Sequence, residues 1–407
     1  MKSDWKKYIG PGPLIAAAFI GPGTVTVCTL AGVKFGYDLL WALGLSIIAT
    51  IVLQEMSARI GLITQKGLAA VISQTLKKGL LRYFSLFLIL LAIVLGNAAY
   101  EAGNITGGAM GADLLVNLPV LTLGQLELNL LNLSIGLIAL ILLMSGSYSK
   151  IAGFLTLLVI MMSLAFLASA IWVQPSVISI FEGFIPKIDA TNILTIVALI
   201  GTTVVPYNLF LHSSLVAKRW TKMEDLKYVR VDTMVAVVLG GLVSMAIIIT
   251  SASGAAMDVN NAADLAIGLE PIMGVAAKYF IAFGLFAAGI TSAITAPLAG
   301  SLVVVDCFGW SNDIRKMPMR ISIIFILGLG LFFSSMGIKP VQLITFAQLA
   351  NGILLPLLSA YILWLVNKKS VMKSHQNNLW LNVLGTGIWL ITFLLGGMSV
   401  SKVMGWI

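Results

Sequence analysis

Apolar residues run along this chain in eleven long blocks, near 11–32, 40–62, 84–110, 120–144, 151–173, 191–216, 230–252, 274–304, 319–337, 341–366 and 379–398. Each is long enough to cross a bilayer as a helix. Polar residues fall between the blocks, and amphipathic stretches at 66–82 and 219–229 merge into their ends. Two blocks, the first and the sixth, carry a proline in their middle, at Gly21-Pro22-Gly23-Thr24 and at Val205-Pro206-Tyr207-Asn208. Proline removes a backbone donor and breaks a helix. Backbone opened within hydrocarbon persists only where it is buried in protein or lines a cavity. Two such breaks in corresponding blocks point to a membrane transporter that binds its substrate between them.

Eleven blocks divide into two halves of five with opposite orientation and one extra helix. The first repeat is expected over 11–173, the second over 191–366, and the additional helix over 379–398, all within one transmembrane domain, 1–407. The stretches 174–191 and 251–270 are expected to be loops on the outer side. The second carries Asp258, Asn260, Asn261, Asp264 and Glu270 and has room for a short helix.

Composition agrees. The 407 residues are 59% hydrophobic and 10% charged, with a mean hydropathy of +1.02, which excludes an ordinary soluble surface. The first block already contains the break and leads into further spans, so a cleaved signal peptide is not expected. The net charge of +9 does not signal nucleic acid, because the basic residues sit in short loops. With the N-terminus in the cytoplasm, the internal loops hold Lys66, Lys77, Lys78 and Arg82, then Lys150, then Lys218, Arg219, Lys222, Lys227 and Arg230, then Arg315, Lys316 and Arg320, then Lys368, Lys369 and Lys373. The outer loops hold little beyond Lys34, Lys187 and Lys339. The positive-inside rule therefore expects the C-terminus outside.

The remaining chemistry is sparse. Cys28 and Cys307 form no CxxC or Cys/His cluster and read as small buried hydrophobes. There is no phosphate-cradling loop and no Ser-His-acid or metal-hydrolase constellation, so neither an enzyme nor a cofactor is expected. Glu55 and Arg59 lie four apart, the spacing of a structural ion pair on a helix. Gly103, Gly107, Gly108 and Gly111 suit close helix packing.

Three stretches carry a family resemblance: Val205-Pro206-Tyr207-Asn208-Leu209-Phe210-Leu211-His212-Ser213-Ser214, Leu53-Gln54-Glu55-Met56-Ser57-Ala58-Arg59-Ile60-Gly61, and Leu298-Ala299-Gly300. Over nearly its full length the chain resembles the Nramp family of proton-coupled divalent-metal transporters. The resemblance implies an all-α polytopic membrane protein with a LeuT-like fold, two inverted five-helix repeats and an eleventh helix, with a metal site between the two unwound segments. Family members that carry manganese or iron have an aspartate and an asparagine flanking Pro-Gly in the first span, and a methionine before the proline of the sixth. The matching positions here are Gly21, Thr24 and Val205, a divergent set. Neither the anionic oxygen that offsets desolvation of a divalent ion nor the thioether that selects softer metals is present at them.

The expected substrate shell is the peptide carbonyls around Gly21 and Val205, the Thr24 hydroxyl, Tyr207, Asn208 and Gln348. Glycine at 21 is expected to leave space there for retained waters or for an organic solute. The histidine usual after the sixth-span proline is Tyr207, while His212 is retained five residues on, and a histidine titrates near neutrality. Asn97, Tyr100 and Glu101 stand where the family's third-span acidic pattern is expected. Asn97, Glu101, His212 and, in the fourth block, Glu127 are the candidates for proton handling or for support of the substrate shell.

The expected function is a secondary transporter of a divalent cation. Magnesium is favoured over manganese or iron, because magnesium keeps several waters and suits a wide site of oxygen donors. The alternative is a transporter of a small organic or neutral solute that has lost metal transport. Expected partners are the cation or solute, protons and membrane lipids. The chain is expected to act as a monomer in a bacterial inner membrane.

Overall fold

The computed structural model describes residues 8, 10–116, 118–123, 126–254, 264, 266, 270 and 273–403. The first block is two helices, α1 (Gly12–Phe19) and α2 (Pro22–Phe35), bent by 53° at Ile20-Gly21. Then follow α3 (Leu40–Thr64), the short α4 (Leu68–Thr75), α5 (Leu80–Asp113), α6 (Leu130–Met144) and α7 (Tyr148–Trp172). After a short exposed helix α8 (Val177–Glu182), the sixth block is again interrupted, into α9 (Ile193–Thr203) and α10 (Pro206–Arg219). The rest are α11 (Leu226–Ala252), α12 (Ala276–Phe308), α13 (Met317–Ser334), α14 (Pro340–Val366), α15 (Lys369–Met372) and α16 (Leu379–Val403).

Among the described residues, eight helices are long and apolar enough to cross a membrane, and the bent α1–α2 pair makes nine. The 15-residue α6 and the 27-residue α14 fall on the two remaining blocks. Of the acidic stretch 251–270, positions 255–263, 265 and 267–269 lie outside the described residues.

The fourth block departs from expectation. Residues 120–123 and 126–129 are not helical but pair as antiparallel strands in a hairpin, β1 (Val120–Leu123) with β2 (Leu126–Asn129), with Thr122 opposite Glu127. Glu127 is thus an exposed strand residue outside the helical spans. That is not the place within a membrane-spanning helix that its position in the fourth block suggested for a proton carrier or for support of the substrate shell.

Small residues set how closely the helices approach. A Cβ at Gly289 of α12 would strike the Gly108 backbone of α5, one at Gly61 of α3 would strike the Ser213 carbonyl of α10, and one at Gly32 of α2 would come within 2.5 Å of the Ile248 carbonyl of α11. A Cβ at Gly107 would overlap Pro22, so α5 packs directly against the first break. Packing of this kind, without large side chains between the backbones, is how helices associate when lipid is as apolar as they are. Large apolar side chains on the outward faces, such as Leu157, Ile160 and Leu164 of α7, are exposed as a lipid-facing surface requires.

Candidate substrate site at the helix breaks

Where α1 stops, its last carbonyls lose their helical partners. The Ala18 carbonyl would be met by the amide of residue 22, which is a proline and has none. Side chains from three other helices take over. Tyr207 Oη of α10 donates to the Ala18 carbonyl at 2.9 Å, and Ser292 Oγ of α12 donates to the Ala17 carbonyl at 3.4 Å. Thr24 Oγ1 donates to the Phe19 carbonyl and lies 2.8 Å from Thr202 Oγ1 of α9. Asn208 Nδ2 donates to the Ile15 carbonyl at 3.1 Å. The two breaks are therefore tied to each other, as buried polar backbone in a bilayer demands.

This differs in one respect from the expected shell. Thr24, Val205, Tyr207 and Asn208 do converge, each at most 1% exposed, but their polar atoms mainly satisfy protein backbone. The Gly21 carbonyl accepts from the Val25 amide at 3.1 Å, and the Val205 carbonyl from the Asn208 amide at 3.1 Å. The space expected at Gly21 is also occupied. A Cβ built there would lie 2.5 Å from Ser292 Oγ and 3.3 Å from its Cβ. Gln348 lies within α14, and its side chain is outside the described residues.

The acidic group of the site is Glu101. It is completely buried, its Oε2 accepts from Asn104 Nδ2 at 3.2 Å, and its Oε1 has no hydrogen-bond partner among the described residues. Its stem packs against Gly330 of α13, where an added Cβ would come within 2.8 Å of Glu101 Cβ. Asn104 reaches the break, with Oδ1 3.7 Å from the Cβ position of Gly21. On the other flank, Tyr100 and Tyr207 meet edge to face with ring centroids 5.2 Å apart. Asn208 Oδ1 is a second buried oxygen without a hydrogen-bond partner among the described residues. A carboxyl oxygen buried without a partner is costly, and an ionisable group inside a membrane protein marks a candidate ion or proton path.

Two candidates are drawn elsewhere. Asn97 donates to the Ala296 carbonyl at 3.1 Å and packs on Gly300, beside Pro297 in α12. His212 sits between α3 and α11, with Nδ1 2.8 Å from Gln54 Oε1 and Nε2 3.4 Å from Thr233 Oγ1. Thr233 gives its own proton to the Val229 carbonyl, so both atoms facing the imidazole are acceptors as they stand. A doubly protonated ring satisfies both. A neutral ring does so either with Nδ1–H donating to Gln54 Oε1 and the Thr233 hydroxyl turned to donate to Nε2, or with the Gln54 amide turned to present its NH2. Glu55 and Arg59 pair at 3.2 Å, and Arg59 also holds the His375 carbonyl and Asn377 Oδ1.

Asn104 and Ser292 belong to the site and were not among its expected members. Asn104 had a local signal, three residues after Glu101 on one helical face. Ser292 had none, since it sits in a run of small residues whose placement depends on the packing of α12.

Comparison with known proteins agrees with this architecture. The chain is 27% identical over 412 residues to the divalent metal cation transporter MntH of Staphylococcus haemolyticus, covering 95% of this chain and 90% of that one. It is 26% identical to the protein of the same name from Staphylococcus saprophyticus, over 98% and 91%. Among solved structures, the manganese transporter of Eremococcus coleocola in complex with an aromatic bis-isothiourea substituted compound superposes with a TM-score of 0.79 at 21% identity, covering 99% and 88%. MhsT in complex with L-phenylalanine does so with a TM-score of 0.61 at 16% identity, covering 96% and 97%. The fold is LeuT-like and the molecule an integral membrane protein. The family model for natural resistance-associated macrophage protein-like chains, Nramp, matches residues 12–402, and the chain belongs to that family.

Proposed function

We propose that this protein is a secondary transporter of divalent cations whose central site is built from oxygen donors around Glu101, and that it favours magnesium over manganese. The observation that carries the reading is Glu101 Oε1, a carboxyl oxygen without a hydrogen-bond partner among the described residues, completely buried close to the first break. Asn104, which bridges Glu101 toward Gly21, and Asn208 Oδ1 supply neutral oxygens nearby. The names of the bacterial relatives support a divalent metal cation as the substrate class.

The preference for magnesium rests on donor chemistry. Val205 stands where a thioether would favour softer ions, and Gly21 and Thr24 replace a carboxylate and an amide in the pattern that the family resemblance supplies. Carboxylate, amide and hydroxyl oxygens suit magnesium, calcium and manganese, and without sulfur the site loses its discrimination against magnesium. The room at Gly21, on which both retained waters and the organic-solute alternative drew, is taken up by Ser292. The inverted repeats, an inner-membrane location with a cytoplasmic N-terminus and the participation of His212 in proton movement belong to the same reading.

The test is parallel uptake of magnesium, manganese and calcium by purified protein in liposomes, with internal pH recorded. Magnesium uptake that Glu101→Gln abolishes supports the assignment. Uptake of manganese alone, or magnesium uptake indifferent to Glu101→Gln, defeats it.

A further inference from the structure

At the end of the molecule where α5 stops, the hairpin folds back and α13 gives way to α14, there is a cavity of about 190 Å3. Two carboxylates line it, Asp113 at the last residue of α5 and Glu127 on β2. The backbone fixes the second of these. The Glu127 amide donates to the Ser335 carbonyl at 2.9 Å, tying the hairpin to the end of α13. Gly337 turns with φ +69° so that its Cβ position lies 3.6 Å from the Glu127 carboxylate.

Two buried neutral side chains line the same cavity. Thr106 is 7% exposed, and its hydroxyl has no hydrogen-bond partner among the described residues. A hydroxyl so buried and unpaired costs stability unless something else uses it. Asn132 is 5% exposed and donates to the Ser334 carbonyl at 3.4 Å, which leaves its amide oxygen as an acceptor. Met110 contributes a thioether, and Ala109, Val120, Ile338 and Pro340 complete the apolar part of the lining.

We propose that this cavity is a second cation site, in which the Asp113 and Glu127 carboxylates, with the Thr106 and Asn132 oxygens, hold a hard divalent cation together with part of its hydration shell. The donor types match that class of ion, and the volume accommodates several waters. Asp113 lies twelve residues beyond Glu101 on one helix, about 18 Å at the helical rise. That is more than half of a hydrocarbon core ~30 Å thick, so the site sits at the membrane surface on the helix that carries Glu101. Two carboxylates there raise the local concentration of cations at the end of that helix.

The site does not depend on Glu101 binding a cation, and the test separates the two. Mg2+ is titrated calorimetrically into the full-length chain in detergent, first as Glu101→Gln and then as Glu101→Gln with Asp113→Asn and Glu127→Gln. The first variant is expected to keep a Mg2+ site, and the added changes to weaken it at least about tenfold, with Thr106→Val alone weakening it about threefold. A Glu101→Gln chain that binds no Mg2+, or binding undiminished by the added substitutions, overturns the proposal. In the chain with Glu101 intact, Asp113→Asn with Glu127→Gln is expected to raise the Mg2+ KM for uptake several-fold, an effect that saturating Mg2+ overcomes. An unchanged KM likewise overturns it.

Discussion

Replacing Tyr207 by Phe removes one oxygen from the point where the two breaks meet. In the structure that oxygen donates to the Ala18 carbonyl at 2.9 Å, and Tyr207 is completely buried. A membrane hydrogen bond averages only ~0.6 kcal/mol in double-mutant cycles, because the separated groups find other partners. Here the alternative is absent. The helical partner of the Ala18 carbonyl would be residue 22, and Pro22 has no N–H. The cost is therefore that of stranding a buried acceptor, about 1–3 kcal/mol, and we take ~2 kcal/mol as the working value. If the contact exists only while both breaks are closed, that energy shifts the balance from closed to open states about thirtyfold. The assay is the melting temperature of the detergent-purified variant together with its cation uptake in liposomes. Both are expected to change, the melting temperature downward. Ser292→Ala, which removes a longer bond of 3.4 Å to the Ala17 carbonyl, is expected to do the same more weakly. Wild-type melting and wild-type uptake for Tyr207→Phe would refute the reasoning. So would a larger effect from Ser292→Ala.

Gly21→Asp is expected to impair folding or transport as a single substitution, since its Cβ would meet Ser292 Oγ at 2.5 Å. Combined with Ser292→Gly it is expected to regain uptake and to bind manganese more tightly, read by manganese competition against magnesium uptake. Gly61→Ala drives a methyl into the Ser213 backbone between α3 and α10 and is expected to destabilise by about 1–3 kcal/mol, measured as a lower melting temperature. Asp232 accepts the Gly10 and Gly12 amides at 2.9 and 2.8 Å. Asp232→Ala is therefore expected to speed hydrogen exchange at the start of α1, with protection in α12 unchanged.

The spans and the two breaks were legible because both are local. A run of apolar residues of bilayer length and a proline within it are written in consecutive positions, and α1–α2 and α9–α10 divide where the prolines stand. The hairpin was missed because hydropathy averaged over a long window cannot distinguish a strand from the start of a helix. The signal was present in the alternation Leu126-Glu127-Leu128-Asn129, which has the period of a strand. Within the site, Tyr207 and Asn208 stand at the second break, where the proline marks it, but their partners were not readable. Which carbonyl a side chain meets depends on the approach of α1 to α10, and that approach is set by packing between residues far apart in sequence. The same holds for Ser292, which comes to Gly21 across 271 positions.

The loss of charge at Gly21 and the buried charge of Glu101 bear on one another. An aspartate at position 21 would place its carboxylate on the segment that bends by 53°, so its distance from the opposite break would change whenever α1 moves. Glu101 lies instead in the interior of α5, a continuous 34-residue helix packed along α12, and is linked toward the first break through Asn104. On the proposed reading, a carboxyl group held back from the break by an intervening amide suits an ion that keeps part of its hydration shell better than a dehydrated one. The glycine, the serine beside it and the carboxyl group on α5 then act as one change in the site, and its expected consequence is uptake of magnesium, an ion that dehydrates reluctantly.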